Sequence, residues 1–286
     1  MRPAQWSLPA PLDREVAATL DGQILVLGGN RDGGPTAIVD TIDPRTGAAR
    51  RLALLASAEH DAAGGMLAGR PAMFGGGAGT ATDAVQVVQA GGTTTVVGHL
   101  PHARADVASA SARGVVYVVG GYDGATLTPD VLATTDGVSF RVVGQLPIGV
   151  RYPAVAIAGE KLFVIGGATS GGENAGVDTD AVQVVDLRSG SVSVLAHMPV
   201  TLSHATAVVL HGTVYVLGGH VGGAWSDQVA TFDPTTGALH AVAHLPRAVS
   251  DGAATVVAGT AYLLGGETGP NAPIADVVEI RAPRQR

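Results

Sequence analysis

The sequence predicts an all-β fold, a six-bladed β-propeller, from three observations. A short β-branched stretch that ends on two glycines occurs six times, with the first glycine at positions 28, 75, 120, 166, 218 and 265. The steps between copies are 47, 45, 46, 52 and 47 residues, a period typical of propeller blades. Turn residues divide each repeat into four short segments, as four-stranded antiparallel sheets require.

The fifth repeat shows this division most clearly. His211-Gly212 predicts a two-residue hairpin turn, because glycine accepts the positive φ of such turns. Asp233-Pro-Thr-Thr-Gly237 has the composition of a longer turn. These turns place the four strands near residues 204–210, 213–219, 228–233 and 238–245. No helix of three turns is predicted anywhere in the chain.

The sixth repeat lacks a fourth strand. It stops after a third strand at 275–280, whereas Gln5-Trp-Ser-Leu-Pro9 ends on Leu-Pro, as fourth strands of other repeats do. We therefore expect residues near 4–9 to pair with residues near 275–281. This pairing would complete the last blade, close the ring and remove an exposed sheet edge. Residues 1–286 would then form a single domain.

The composition excludes several classes of function. The net charge of −7 makes a nucleic acid an improbable partner, and the absence of cysteine excludes disulfides and thiolate chemistry. No run of residues approaches the length of a membrane span, and the N-terminus has no apolar signal region. We expect a soluble monomer without membrane insertion and without a cofactor. The compartment stays open, and the chain could be an extracytoplasmic domain of a larger protein.

The repeats resemble kelch repeats. The strand that ends in Gly-Gly carries a tyrosine three positions earlier in three copies, at Tyr117, Tyr215 and Tyr262. One departure is that the tryptophan typical of the fourth strand is present only as Trp6. The resemblance implies a propeller that acts mostly as a binding scaffold. It also allows an enzyme, because a few bacterial six-bladed members are sugar mutarotases and some fungal members carry an oxidase site.

The repeat predicts a ring of polar side chains at the mouth of the central channel. The residue fourteen positions before each first glycine begins the innermost strand of its blade, on the face where the loop after the second strand also lies. These six residues, which we call the mouth ring, are Arg14, Asp61, Asp106, Tyr152, His204 and Asp251. His60 and Arg151 precede two of them. The ring either begins strands at the solvent surface or lines a ligand pocket, and both interpretations stay open.

Loops after the second strands surround this ring. They supply Asn30, Tyr122, His220, Glu267 and Trp225 as candidate contacts, and the loop at 168–179 is the longest. Trp225 is flanked by small residues, so it either contacts a ligand or covers the edge of its blade. With three aspartates in the ring against Arg14 and Arg151, the mouth should be mildly acidic. This favours a basic peptide, a cationic group or sugar hydroxyls.

Metal binding and catalysis have weaker support. His99, His197 and His244 recur at one outer position of three blades and cannot converge on one ion. His204, His220 and Asp251 could form a two-histidine, one-carboxylate site, but no spacing motif supports it, and we expect no metal. Asp61 and Asp106 come from adjacent blades and could act as an acid–base pair.

The sequence therefore favours a non-enzymatic recognition module that binds a protein, peptide or glycan on the loop face, with no catalytic residues assigned. The alternative is a small-molecule enzyme of the sugar mutarotase or epimerase kind, with acid and base groups from the mouth ring. A purely structural role is the third possibility.

Overall fold

The structure, a computed structural model, describes residues 1–169 and 177–281. Every regular element in these residues is a β-strand, and none of them belongs to a helix that could cross a membrane. Six four-stranded antiparallel sheets form, and the inner strand of each sheet contacts that of the next, with the sixth contacting the first. The predicted all-β propeller is confirmed, and these sheets are its blades.

In blades 1 to 5 the strands run outward from the channel in chain order. The first two blades comprise Val16–Leu20, Gln23–Leu27, Ile38–Ile42 and Ala49–Leu54, then Ala63–Leu67, Arg70–Phe74, Ala84–Val88 and Thr94–His99. Blades 3 and 4 comprise Ala108–Ala112, Val115–Val119, Asp130–Thr134 and Arg141–Gln145, then Ala154–Ala158, Lys161–Ile165, Ala181–Asp186 and Val192–His197. Blade 5 comprises Thr206–Leu210, Thr213–Leu217, Gln228–Phe232 and Leu239–His244.

Short strands that the sequence did not predict stand on the loop face. One pair joins Asn30–Arg31 to Gly34–Pro35, and a small sheet joins Leu202–Ser203, His220–Val221 and Ala224–Trp225. They extend blades 1 and 5 above the channel mouth.

The N-terminus completes blade 6 next to the strands Ala253–Val257, Thr260–Leu264 and Val277–Ile280. Its strand is Arg2–Pro3, with Arg2 opposite Glu279 and Pro3 opposite Val278, so the regular pairing begins earlier than the predicted residues 4–9. Beyond it, the backbone of Leu8 still donates a hydrogen bond to the Ala275 carbonyl at 2.8 Å.

Trp6 explains why the chain leaves the regular register there. Its indole Nε1 donates to the Pro44 carbonyl at 3.1 Å, in the turn between the outer strands of blade 1. Gly47 is in the same turn, and a Cβ at that position would collide with the Trp6 side chain. The N-terminal segment therefore pairs with blade 6 and also anchors itself on blade 1.

The core lies between neighbouring blades and is mainly aliphatic. Phe163 of blade 4 packs against Phe232 of blade 5, with ring centroids 5.0 Å apart. Both belong to one buried cluster drawn from these two blades. Each such side chain contributes about 1.5–3 kcal/mol by burial, so the blades stabilise one another through these faces.

The paired glycines allow each second strand to leave its blade close to the loop that enters the inner strand. Gly219 has a φ of 85°, and a Cβ there would lie 2.5 Å from the Ser203 carbonyl oxygen and 2.6 Å from the Ala205 Cβ. Only glycine fits such a contact without displacing the backbone. This close approach fixes the position of the mouth ring.

Arg104 is fully buried between blades 2 and 3. Its Nη1 donates to the Gly120 carbonyl at 3.2 Å, but Nη2 lies 3.9 Å from the Asp130 carboxylate and has no hydrogen-bond partner among the described residues. Burial lowers the pKa of Arg104. The same repeat position, two residues before the mouth ring, is apolar in four other blades, as Leu12, Val150, Leu202 and Val249.

Replacing Arg104 with leucine is expected to raise the free energy of unfolding by about 1–4 kcal/mol, because an apolar side chain removes the desolvation penalty of an incompletely paired charge. Thermal melts followed by circular dichroism measure the change. The exposed Arg50 provides the matched control, and Arg50→Leu should leave the melting temperature nearly unchanged. A lower melting temperature for Arg104→Leu would show that the Gly120 contact stabilises the seam more than burial destabilises it.

Candidate ligand site at the channel mouth

The six residues of the mouth ring share one backbone conformation. Each has a φ between 52° and 59°, in the left-handed region that non-glycine residues rarely adopt. The N–H of Arg14 donates to the Asp251 carbonyl at 2.8 Å, and the N–H of Asp61 donates to the Arg14 carbonyl at 3.2 Å. The same bond links Tyr152 to Asp106, His204 to Tyr152 and Asp251 to His204.

At the remaining step, from blade 3 to blade 2, the Asp61 carbonyl accepts instead from the Val107 N–H at 3.4 Å. The hydrogen bonds therefore pass from blade to blade around the whole mouth. They hold six side chains at one level and direct them toward the same axis.

The ring residues line one cavity of about 250 Å³ together with the first residue of the inner strand in blades 1 to 5 and the second residue, Ala254, in blade 6. Its walls below the ring are mostly small, including Ala62, Ala108, Ala154, Ala205 and Gly252. The structure thus brings all six ring residues together around a single space on the ring axis.

Two arginine–aspartate pairs link neighbouring blades at this cavity. Arg14 Nη1 lies 3.1 Å from Asp61 Oδ2, and Arg151 Nε lies 2.7 Å from Asp106 Oδ2. The Tyr152 hydroxyl accepts from Arg151 Nη2 at 3.2 Å and from Arg14 Nη1 at 3.5 Å. Because blades 1 and 4 are opposite each other in the ring, the contact between Arg14 and Tyr152 spans the mouth.

The pKa values of Asp61 and Asp106 are shifted in opposite directions. Burial alone would raise the pKa of Asp61, but the hydrogen bond from His60, at 2.6 Å, and the Arg14 charge lower it. Burial and the Asp61 charge raise the pKa of Asp106 to about 6, although Arg151 opposes them. One carboxyl is therefore firmly ionised, while its neighbour titrates near neutrality.

Aromatic rings continue the site toward blade 5. The Tyr152 ring stacks on His204 at 4.0 Å between centroids, and His204 lies 4.5 Å from His220. The Trp225 ring meets His220 edge-on at 4.5 Å. Trp225 is half-buried in this row, so it packs against its own blade and is not a free loop tip. Its indole N–H has no acceptor within the part of the chain that the structure describes.

His204 is neutral in this setting. Burial first, and then the proximity of His220, lowers the pKa of His204 to about 3, and its Nδ1 lies 2.8 Å from the Ser203 hydroxyl. The unfolded chain binds this proton near pH 6.5, so stability due to His204 is lost as the pH falls from about 6.5 toward 3.

The variant His204→Asn is therefore expected to lose less stability on acidification. Between pH 7 and pH 5 the difference from the wild type should be on the order of 2 kcal/mol, because each pH unit below the unfolded pKa contributes about 1.4 kcal/mol. Asparagine tolerates the positive φ, and Asp106 titrates in both proteins. Denaturant unfolding at the two pH values measures the change. His211→Asn, at an exposed residue with φ 51°, is the control. Equal loss of stability on acidification in the wild type and in His204→Asn would contradict the assignment of His204 as neutral in the folded protein.

The remaining predicted residues surround the cavity without lining it. Glu267 lies 3.9 Å from Arg14, and the Tyr122 ring packs 5.0 Å from the Arg151 guanidinium. Asn30 uses its side-chain amide to donate to Asp13 at 3.0 Å, so it connects its loop to the segment that enters the inner strand of blade 1. Most of the long loop predicted at 168–179 lies outside the described residues, at 170–176.

Sequence reasoning did not assign Glu15 to the site. It follows the ring residue Arg14, lines the cavity and is buried. The available signal was a glutamate at a repeat position that is small or apolar in the other blades. Sequence reasoning also missed the left-handed conformation of the ring, which no residue type in the pattern demands.

The histidines do not assemble a metal centre in the described residues, where no group of three ligating side chains is close enough to hold an ion. The outer histidines His99, His197 and His244 each lie 2.8–2.9 Å from the aspartate that immediately precedes the neighbouring strand of the same blade. These exposed pairs lie in three separate blades, so the three histidines are spread around the rim, as their spacing predicted; their pairing with aspartates was not predicted.

Comparison with known proteins agrees with this architecture. The Kelch motif family matches residues 201–238, which lie in blade 5. The chain is 36% identical over 75 residues to Kelch-like protein terF of Aspergillus terreus, covering 25% of this chain and 16% of that protein. It is 36% identical over 109 residues to mouse Kelch-like protein 35, covering 37% of this chain and 18% of the relative. The chain thus spans less than a fifth of the length of these curated relatives.

Among solved structures, that of YjhT has the same fold, with a TM-score of 0.82 and 16% sequence identity. The match covers 98% of this chain and 97% of YjhT. The chain is thus similar to kelch-repeat proteins in the motif of blade 5, and it shares its fold with YjhT.

Proposed function

We propose that this protein is a recognition module that binds the end of a glycan in the cavity at the channel mouth. The observation that carries the proposal is the convergence of six polar ring side chains on one space of about 250 Å³. An apolar cavity of about 150 Å³ accommodates benzene, and drug-sized pockets begin near 300 Å³. The space therefore suits one sugar ring better than a folded peptide segment.

The charges in the cavity favour a neutral, hydroxylated ligand. Arg14 is paired with Asp61, and Arg151 with Asp106, so each guanidinium is balanced by a carboxylate. Such pairs present fixed donors and acceptors side by side, which is what a sugar hydroxyl needs. The Tyr152 ring adds an aromatic surface at the same level.

Kelch repeats generally act as protein-interaction modules, so a peptide is the main competing ligand. A basic peptide would have to place a side chain among charges that are already paired, which weakens the electrostatic attraction. The comparison between sugar and peptide ligands is therefore the decisive one for this proposal.

A thermal-shift panel of neutral hexoses, N-acetylhexosamines, amines and short basic peptides tests the proposal. Neutral sugars are expected to raise the melting temperature in a saturable manner, because a ligand that binds only the folded state stabilises it. Saturation-transfer NMR should confirm the contact. Arg113→Ala, a change at an exposed hairpin turn outside the cavity, should leave the sugar response intact. A response to peptides alone would indicate a protein partner and not a glycan. No response to any ligand would indicate that the mouth ring has a structural role.

A second candidate function is interconversion of sugar anomers, and the observation that favours it is the unequal aspartate pair. Asp106, with a pKa of about 6, can supply a proton to the ring oxygen of a sugar, and the ionised Asp61 can accept one from the anomeric hydroxyl. Exchange NMR on a sugar that binds would reveal faster anomer exchange in the presence of protein. Exchange at the uncatalysed rate, with binding retained, would exclude this activity.

A further inference from the structure

Glu15 breaks the pattern of the cavity wall. It occupies the position directly after the mouth ring, immediately before the inner strand of blade 1. The five equivalent residues cannot form hydrogen bonds through their side chains, and they are Ala62, Val107, Pro153, Ala205 and Gly252. All six positions line the same cavity. Only blade 1 therefore places a carboxyl group in the wall below the ring.

This carboxyl group is buried without a partner. Glu15 is 7% exposed, and neither of its oxygens makes a hydrogen bond within residues 1–169 and 177–281. The backbone N–H groups of Glu15 and Ala253 are close enough to favour the ionised form, yet neither makes a hydrogen bond of normal geometry. Burial, reinforced by Asp13 and Asp251, raises the pKa of Glu15 and so favours the neutral carboxylic acid.

An unpaired buried carboxyl lowers the stability of a fold, and natural proteins contain few such groups without a functional reason. Oε1 of Glu15 lies against the backbone of Gly265 in blade 6, 2.9 Å from where a Cβ would be. The group therefore fills the seam between blades 1 and 6 without a bond that would stabilise it. Two other blades have alanine at the equivalent position, so packing of the blades does not require a carboxyl group there.

We propose that Glu15 is a specificity residue of the cavity, which rotates about its side-chain torsions and hydrogen-bonds a ligand hydroxyl below the mouth ring. This inference rests on the proposed glycan site. A carboxylic acid donates one hydrogen bond and accepts another, which matches a hydroxyl group in both roles. Sites built in this way reject analogues that lack the hydroxyl, because the buried polar group is then left unpaired.

The test separates a binding role from a structural one, because the two predict opposite changes in stability. Glu15→Ala is expected to raise the melting temperature by roughly 2–4 °C, since alanine removes the unpaired group, as at Ala62 and Ala205. The same variant should bind the responding monosaccharide of the panel at least about 10-fold more weakly. Glu15→Gln, which keeps one donor and one acceptor, should retain most of the affinity.

Arg104→Leu is the matched control, because it also removes an incompletely paired buried group but lies outside the cavity. It should raise the melting temperature and leave the sugar affinity unchanged. Deoxy analogues of the bound sugar complete the design. For the wild type, one deoxy analogue should bind about 10-fold more weakly than the parent sugar. For Glu15→Ala, this analogue and the parent sugar should bind with equal affinity.

A lower melting temperature for Glu15→Ala, or unchanged sugar affinity, would overturn the inference. A wild-type protein that responds to none of the sugars counts against the glycan proposal instead. In that case, a higher melting temperature for Glu15→Ala would still support a cavity in which the Glu15 carboxyl lacks a partner. A lower melting temperature would reject both the glycan site and the ligand-binding role of Glu15.

Discussion

Deletion of residues 1–9 is expected to lower the free energy of unfolding by more than about 5 kcal/mol, the largest effect in this protein. The deletion removes the outer strand of blade 6 and the buried Leu8, which is 4% exposed. It also removes the Trp6 anchor on blade 1. Buried side chains of this size contribute about 1.5–3 kcal/mol each, and the loss of strand hydrogen bonds adds to that. It would also leave the strand Val277–Ile280 as an open edge, prone to aggregation.

Urea unfolding monitored by fluorescence and circular dichroism measures this effect. The double variant Trp6→Ala, Leu8→Ala keeps the backbone pairing at Arg2–Pro3 and separates packing from strand pairing. It should lie between the wild type and the deletion. A truncated chain that unfolds at the same urea concentration as the wild type would refute closure of the ring by the N-terminus.

The second large effect is expected in the mouth ring. The double variant Asp61→Asn, Asp106→Asn should weaken sugar binding by about 10²–10⁴-fold, because each hydrogen bond to a charged group contributes about 1.5–3 kcal/mol. The variant removes the carboxylates that lie nearest to Arg14 and Arg151. Asparagine accepts the left-handed φ of these positions, so the ring backbone should persist. Isothermal titration with the responding sugar measures the loss.

A matched control changes Asp83 and Asp180 to asparagine, at the exposed outer pairs. This variant carries the same change in charge and should bind as the wild type does. The single variant Asp106→Asn covers the case in which the double variant folds poorly, and it should still bind more weakly. Retained affinity in a folded double variant would remove the mouth ring from the site.

The fold followed from the sequence because its signals are local and repeated. A fixed period, a hairpin turn and a pair of glycines recur in each blade, and strand pairing then requires neighbouring segments only. The alignment at fourteen residues before the first glycine placed Arg14 and His204 on one ring for the same reason. The boundaries of the N-terminal strand were less accurate, because Trp6 leaves the sheet to dock on a turn of blade 1, a contact between distant parts of the chain.

The chemistry of the site depends on contacts across the ring, which no local pattern contains. The contact between Arg14 and Tyr152 joins opposite blades, and the Asp106 pKa of about 6 depends on burial at the mouth and on the Asp61 charge one blade away. The row of His204, His220 and Trp225 was partly foreseen from hairpin pairing. Its tight packing was not, since the sequence equally allowed Trp225 to be a free loop tip.

The most direct test of the channel-mouth site is the position of the bound sugar in a co-crystal structure with the responding monosaccharide. The structure predicts a sugar ring on the propeller axis, with hydroxyl groups within hydrogen-bond distance of Asp61, Asp106 and Tyr152. A sugar bound on the outer rim of the blades, with the cavity at the mouth ring occupied only by water, would contradict this assignment.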